Sequence, residues 1–204
     1  MDSILDRVES ARLLLANGRY FDGFLLGLIA FAGLSSLRYP RKSVDFHTYF
    51  SKKRSRHPNL KIQIDAEENK RAAQVKHHPD RRFLGDKETF HCLVYDEIGK
   101  ITGPNMAPAL EINVRFPYGA DLQPMNFEDI LYGYLRCTSV HQGKFPPTVI
   151  LTQPIYMNTG LAYNQVKLSV PNGWPLGWVE NILKVVEGCP EVASASIDSP
   201  LVSP

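Results

Sequence analysis

Apolar positions at the start of the chain recur three and four residues apart. Ile4, Leu5, Val8, Ala11 and Leu15 fall on one stripe of a helix that Asp2 or Ser3 caps and Asn17-Gly18 stops. The pattern then changes. From Arg19 or Tyr20 to Leu37 the run FLLGLIAFAGL is apolar on nearly every side, which places a second helix at the centre of a bundle or in an oligomer interface. Gly23, Gly27 and Gly33 allow neighbours to approach it closely, and Pro40 terminates it. Ser43 caps a third helix, Val44 to about Arg54, in which Val44, Phe46, Tyr49 and Phe50 alternate with basic residues.

The middle of the chain reads differently. Leu60, Ile62 and Ile64 alternate as in a short strand, and Asp65 caps a following helix in AEENKRAAQVK. HHPDRR is a loop. Thr89 to Asp96 (TFHCLVYD) and Ala109 to Phe116 (ALEINVRF) have strand character, so residues of about 60–125 form a β-containing insertion on a helical domain. Helical periodicity returns at Asn126, with Asp129 in an approximate capping box and Phe127, Ile130, Leu131, Tyr134 and Leu135 turned inward, and Gly143 ends that helix. Val149 to Gln153 and Gln165 to Val170 predict a hairpin or strand pair around a turn at Asn158 to Gly160. Pro175 to Glu187 predicts a last helix, on which Trp174 and Trp178 are packing anchors. The expected fold is mainly α: one domain over 1–190, with a C-terminal hairpin plus helix, and a flexible tail over 191–204.

Composition narrows this little, but charge placement adds something. The 204 residues carry a net charge of +2, which is no mark of a general polyanion binder. The segment from residue 38 to 56 nevertheless holds Arg38, Arg41, Lys42, Lys52, Lys53, Arg54 and Arg56 against the single acid Asp45, a candidate RNA footprint or simply a solvated face. Cys92, Cys137 and Cys189 have no paired spacing, which favours a reducing, cytoplasmic setting. The apolar run Phe24 to Leu37 is shorter than the roughly 20 residues a bilayer needs, so no membrane partner is expected. His77, His78, Asp80, His91 and Cys92 match no zinc spacing, Gly99-Lys100 lacks the upstream glycine of a phosphate loop, and no cofactor is expected.

The stretch with chemical content is YLRCTSVHQGK, Tyr134 to Lys144, where Arg136 precedes His141 by five positions. Metal-free RNA cleavage needs a base for the 2′-hydroxyl and a donor for the crowded phosphorus centre. Imidazole suits the first role and a guanidinium fork the second. Such spacing also arises by chance, and two cations at a helix C-terminus are favourable against the macrodipole alone. Context distinguishes this pair from Arg41 with His47 or Arg71 with His77: it lies late in a strongly amphipathic helix whose apolar face is already occupied.

LYGYLRCTSVHQGK resembles the HEPN superfamily (higher eukaryotes and prokaryotes nucleotide-binding), helical-bundle proteins with an R-x4-6-H motif at a helix end. Arg136, the four-residue gap Cys137 to Val140, and His141 carry the likeness, which extends more weakly to about half the chain. It implies a helical bundle, frequently a homodimer, with two motifs meeting across the interface. It also implies in many members a metal-independent ribonuclease that leaves a 2′,3′-cyclic phosphate, used as a toxin with an antitoxin partner or against phage. On this reading Arg136 and His141 are catalytic, the 38–56 basic residues hold RNA, and Asp22, Tyr134 and Ser139 are auxiliary. The alternative is a catalytically inactive module that binds RNA, a nucleotide or a protein. Two departures stand out: Cys137 follows the arginine where the toxins often have a polar residue, and the 60–125 block has no counterpart. In a regular α-helix, positions five apart diverge by about 140°, which favours a site completed by a second chain.

Overall fold

The computed structural model describes residues 3–102, 112–115, 122–137, 140, 149–152, 162–164, 167–171 and 173–192. Helix α1 (Ile4–Ala16) begins with Ser3 and Asp6 in a reciprocal cap: the Asp6 amide donates to Ser3 Oγ at 3.0 Å and the Ser3 amide to the Asp6 carboxylate at 2.6 Å. It ends where Gly18, at φ 74°, turns the chain left-handed. Helix α2 (Tyr20–Arg38) follows at once. It packs on α1, and Gly23 is the point of closest approach, since a Cβ there would lie 2.7 Å from Leu15 Cγ.

Helix α3 (Phe46–Arg56) is capped by Asp45, which accepts from the His47 amide at 3.0 Å; Ser43, the expected cap, donates instead to the Pro40 carbonyl. After a 3₁₀ turn at Pro58–Leu60 comes helix α4 (Lys61–Val75), where the alternation of Leu60, Ile62 and Ile64 had predicted a strand. Ile64 is buried, but Ile62 is 86% exposed, so the alternation was one core residue and one solvent residue on opposite sides of the helix. A second 3₁₀ turn, Pro79–Arg82, leads into helix α5 (Asp86–Thr102). This helix replaces the strand expected at Thr89 to Asp96. Phe90, His91, Cys92, Leu93 and Val94 are all buried, so the run is apolar because it is enclosed on most sides, and its flanks are helical: Glu88 accepts from the Gly85 amide at 2.8 Å and Glu97 and Ile101 continue the buried face.

Residues 60–102 are therefore helical, and α5 packs on α2 and α3. Helix α6 (Phe127–Asp129) continues as a π-helical segment, Ile130–Cys137, where one regular helix had been expected. Helix α7 (Gly173–Glu187) packs on α2 and α5, with Val179 and Leu183 against Gly27. The result is a helical bundle whose buried centre is Phe24, Leu28, Phe31, Leu34, Phe90 and Leu93, extended by Ile182, Leu183 and Val186. By length and composition alone, α2 could cross a membrane; here its buried residues belong to that centre. Short strands accompany the bundle. β1 (Ile112–Arg115) pairs antiparallel with β2 (Leu122–Met125), and β3 (Val149–Thr152) pairs with β5 (Lys167–Pro171). The second pairing is the strand pair the sequence offered, but parallel and so not a hairpin, and β4 (Ala162–Asn164) lies antiparallel on the other side of β5. Tail residues 193–204 lie outside the described residues.

Candidate functional site

Arg136 sits in the last turn of the π-helical segment. An i→i+5 segment of this kind is uncommon and concentrates at functional positions. The guanidinium carbon lies 5.0 Å from the Tyr132 ring centroid, a cation–π contact with the residue one turn back. Nη1 approaches Cys137 Sγ at 3.9 Å, and Nε is buried with no hydrogen-bond partner. No carboxylate pairs with Arg136 among the described residues. Tyr132 is itself fixed edge-on, 5.3 Å from the Phe90 ring and 5.9 Å from the His91 ring. Burial raises its phenol pKa, so it remains the neutral platform on which the cation rests.

Behind that platform is a buried polar cluster that joins α3, α5 and α6. Glu128, 2% exposed, accepts the Tyr95 hydroxyl at 2.9 Å and meets His57 Nε2 at 2.8 Å on the same oxygen. Burial is the largest influence and opposes its charge, but the hydrogen bonds from His57 and the backbone, together with the two nearby histidines, outweigh it, and its carboxyl lies below the usual range. His91 is different. It is 1% exposed, neither ring nitrogen has a hydrogen-bond partner, and the Asp129 carboxylate stands off at 3.8 Å from Nε2. Burial holds its pKa down to about 4 despite the two neighbouring acids, so the ring is neutral at ordinary pH. Asp129 is paired with Lys87 at 2.7 Å.

The remaining sequence candidates divide clearly. His141 and Ser139 and the side chain of Tyr134 lie outside the described residues, as do those of Trp174 and Trp178. Asp22 pairs with Arg19 at 2.8 Å on the surface at the start of α2. In the basic segment, Arg38 meets Glu97 and Glu191, Arg41 meets Asp86, Lys52 meets Asp96, Lys53 meets Glu67, and Arg54 meets Glu68 and Asp65. Only Lys42 and Arg56 have no carboxylate partner among the described residues, and burial lowers the pKa of Arg56. Among the described residues no trio of His, Cys, Asp or Glu is grouped to hold a metal ion.

Sequence reasoning passed over His57, Tyr95, Glu128 and Tyr132, because each lies in a different helix or reads as an ordinary amphipathic position. A weak signal existed in Glu128-Asp129: two adjacent acids at the start of an apolar segment cannot both face solvent if the segment is enclosed. No family model, curated protein or solved structure matches this chain.

Proposed function

We propose that the protein is a metal-independent endoribonuclease of the HEPN type, in which Arg136 stabilises the charge that develops on the scissile phosphate and His141 removes the 2′-hydroxyl proton. The observation that carries this reading is the state of Arg136: an arginine with no carboxylate partner among the described residues, steered by Tyr132 at the end of an irregular helical turn. Five of the seven basic residues in the 38–56 segment are, by contrast, already neutralised by acids. A planar cation held in place without a counter-charge is suited to a bidentate phosphate contact, because no ion pair has to be broken first. Cleavage requires no cofactor on this reading, and two chains supply the complementary halves of each site. A toxin role with an antitoxin partner is the corresponding biological setting.

The test incubates the purified protein with mixed RNA in excess EDTA, beside an Arg136→Ala, His141→Ala double variant. Fragments ending in 2′,3′-cyclic phosphate, lost in the double variant, are the expected result. Cleavage that persists in the variant removes the site. RNA bound but left intact by both proteins replaces the enzyme with a non-catalytic RNA-binding module.

A further inference from the structure

A second feature shares no lining residue with the π-helical segment that carries Arg136. It is a cleft of about 530 Å³, set between the turn before α3, the end of α4, the Pro79–Arg82 turn and the start of α5. That volume falls within the range of small-molecule sites, roughly 300–1,000 Å³. Its floor is apolar, made by the half-buried Phe83 and the buried Leu84. Beneath it Arg71 acts as architecture: Nε donates to the Arg81 carbonyl at 2.9 Å, Nη2 to the Phe83 carbonyl at 2.8 Å, and Nη1 to Glu88. These bonds fix the backbone of the cleft wall and consume the charge of Glu88.

The rim is cationic. Lys42 and Arg81 are exposed, and neither has a carboxylate within ion-pair distance among the described residues; Gln74 holds Arg81 at 2.6 Å. Arg41 meets Asp86 at 2.8 Å, but both are well exposed, so an incoming anion displaces a contact of little worth. Against these cations the cleft sets the one remaining acid Asp80. Lys42 adds an independent clue. Its φ of 62° is the left-handed region, where glycine or asparagine is relaxed and a long side chain is strained. The turn is closed by the Ser43 amide donating to the Pro40 carbonyl at 3.2 Å. A lysine kept in strained backbone at the mouth of a basic cleft is accounted for if its ammonium is used.

We infer that this cleft binds a nucleoside phosphate, taken either as a free nucleotide or as one unit of a single-stranded RNA. Lys42, Arg81 and Arg41 receive the phosphate, and the base lies against Phe83 and Leu84. The site is separate from the proposed cleavage chemistry and does not depend on it.

The experiment titrates the full chain with uridine and adenosine 5′-monophosphates and a short oligouridylate, with the bare nucleosides and inorganic pyrophosphate as controls. Phosphorylated ligands should bind and nucleosides should not. Lys42→Gly and Arg81→Gln should each weaken binding about tenfold, the worth of one charged hydrogen bond. Lys42→Gly should melt at or above the parent temperature, because glycine relaxes the turn, so its loss of binding is not a loss of fold. The losses caused by Lys42→Gly and Arg81→Gln should be the same in an Arg136→Ala background, which separates this site from the proposed catalytic one. Tighter binding of the mononucleotide or of the oligomer identifies which source the cleft serves. The inference is overturned if no phosphorylated ligand binds, if pyrophosphate binds as tightly as the nucleotides, or if both cleft variants bind normally, alone or in the Arg136→Ala background.

Discussion

The basic face of α3 and the segment around Arg136 treat charge in opposite ways. On α3 three of the four lysines and arginines that stand out in the sequence are matched with acids from α4 and α5: Lys53 with Glu67, Arg54 with Glu68 and Lys52 with Asp96. Around Arg136 the polar groups are fewer, but Arg136 Nε and both nitrogens of His91 are buried without a hydrogen-bond partner, beside a Glu128 carboxylate shared between His57 and Tyr95. A run of positive charge is thus poor evidence of a polyanion site when an acidic helix packs beside it. An unmatched group in an enclosed place is better evidence, because leaving it unmatched costs stability that a purely structural position would not retain.

That contrast can be broken at its strongest point first. Glu128→Ala leaves His57 and Tyr95 facing a buried gap, and a loss of about 3–5 kcal/mol in denaturant unfolding is expected for breaking an enclosed pair of this kind. A loss below about 1 kcal/mol would show that the cluster is solvated and would remove the distinction between the two regions. Arg136→Ala comes next: RNA cleavage should fall about 10²–10³-fold, typical for one transition-state donor, with circular dichroism and melting little altered.

The third prediction concerns pH. His91 titrates near 6.5 when unfolded and is held down to about 4 by burial in the fold, so below about 6.5 the unfolded chain binds the extra proton. Stability from this group is therefore complete above about pH 6.5 and is lost as pH falls toward 4. Glu128, whose folded pKa is also lowered, adds a loss in the acid range as pH falls below the ordinary carboxyl value of 4.5. Unfolding midpoints measured from pH 7 to 5 should decline in the parent, and His91→Phe should flatten that decline; an equal slope in both proteins would assign the effect elsewhere. The smallest effect is expected on the basic face. Arg54→Ala should cost no more than about 1 kcal/mol and leave RNA cleavage within about threefold of the parent, as befits a partly exposed ion pair. A large drop in activity there would reverse the comparison and make α3 the RNA contact.

Most of the helical order was legible in the chain. Asp2 or Ser3 as the cap, Asn17-Gly18 as the stop and the stripe between them defined α1. The all-round apolar run defined α2 as a core helix, and Phe46, Tyr49 and Phe50 gave the buried face of α3. Helix α5 was not legible, because Phe90 to Val94 are buried one after another and a continuous apolar run has no period by which strand and helix can be told apart. The lone pairing of Ile62 and Ile64 misled for a related reason: three residues are too few to fix a period. The candidate site was half legible. Arg136 came from its spacing to His141, whereas Tyr132 and His91 had no signal, and Glu128 only a weak one, until α5 and α6 were brought together.

The sequence by itself determined the bounds of α1 and the place of α2 as the core helix, since these rest on local capping and periodicity, and it offered Arg136 and His141 as a pair whose side-chain chemistry suits a phosphodiester. Only the tertiary structure decided which charges are cancelled and which are left over. Pairing depends on distances between α3, α4, α5 and α6 that no local pattern encodes, and the same lysine or histidine is inert or poised according to what folds against it.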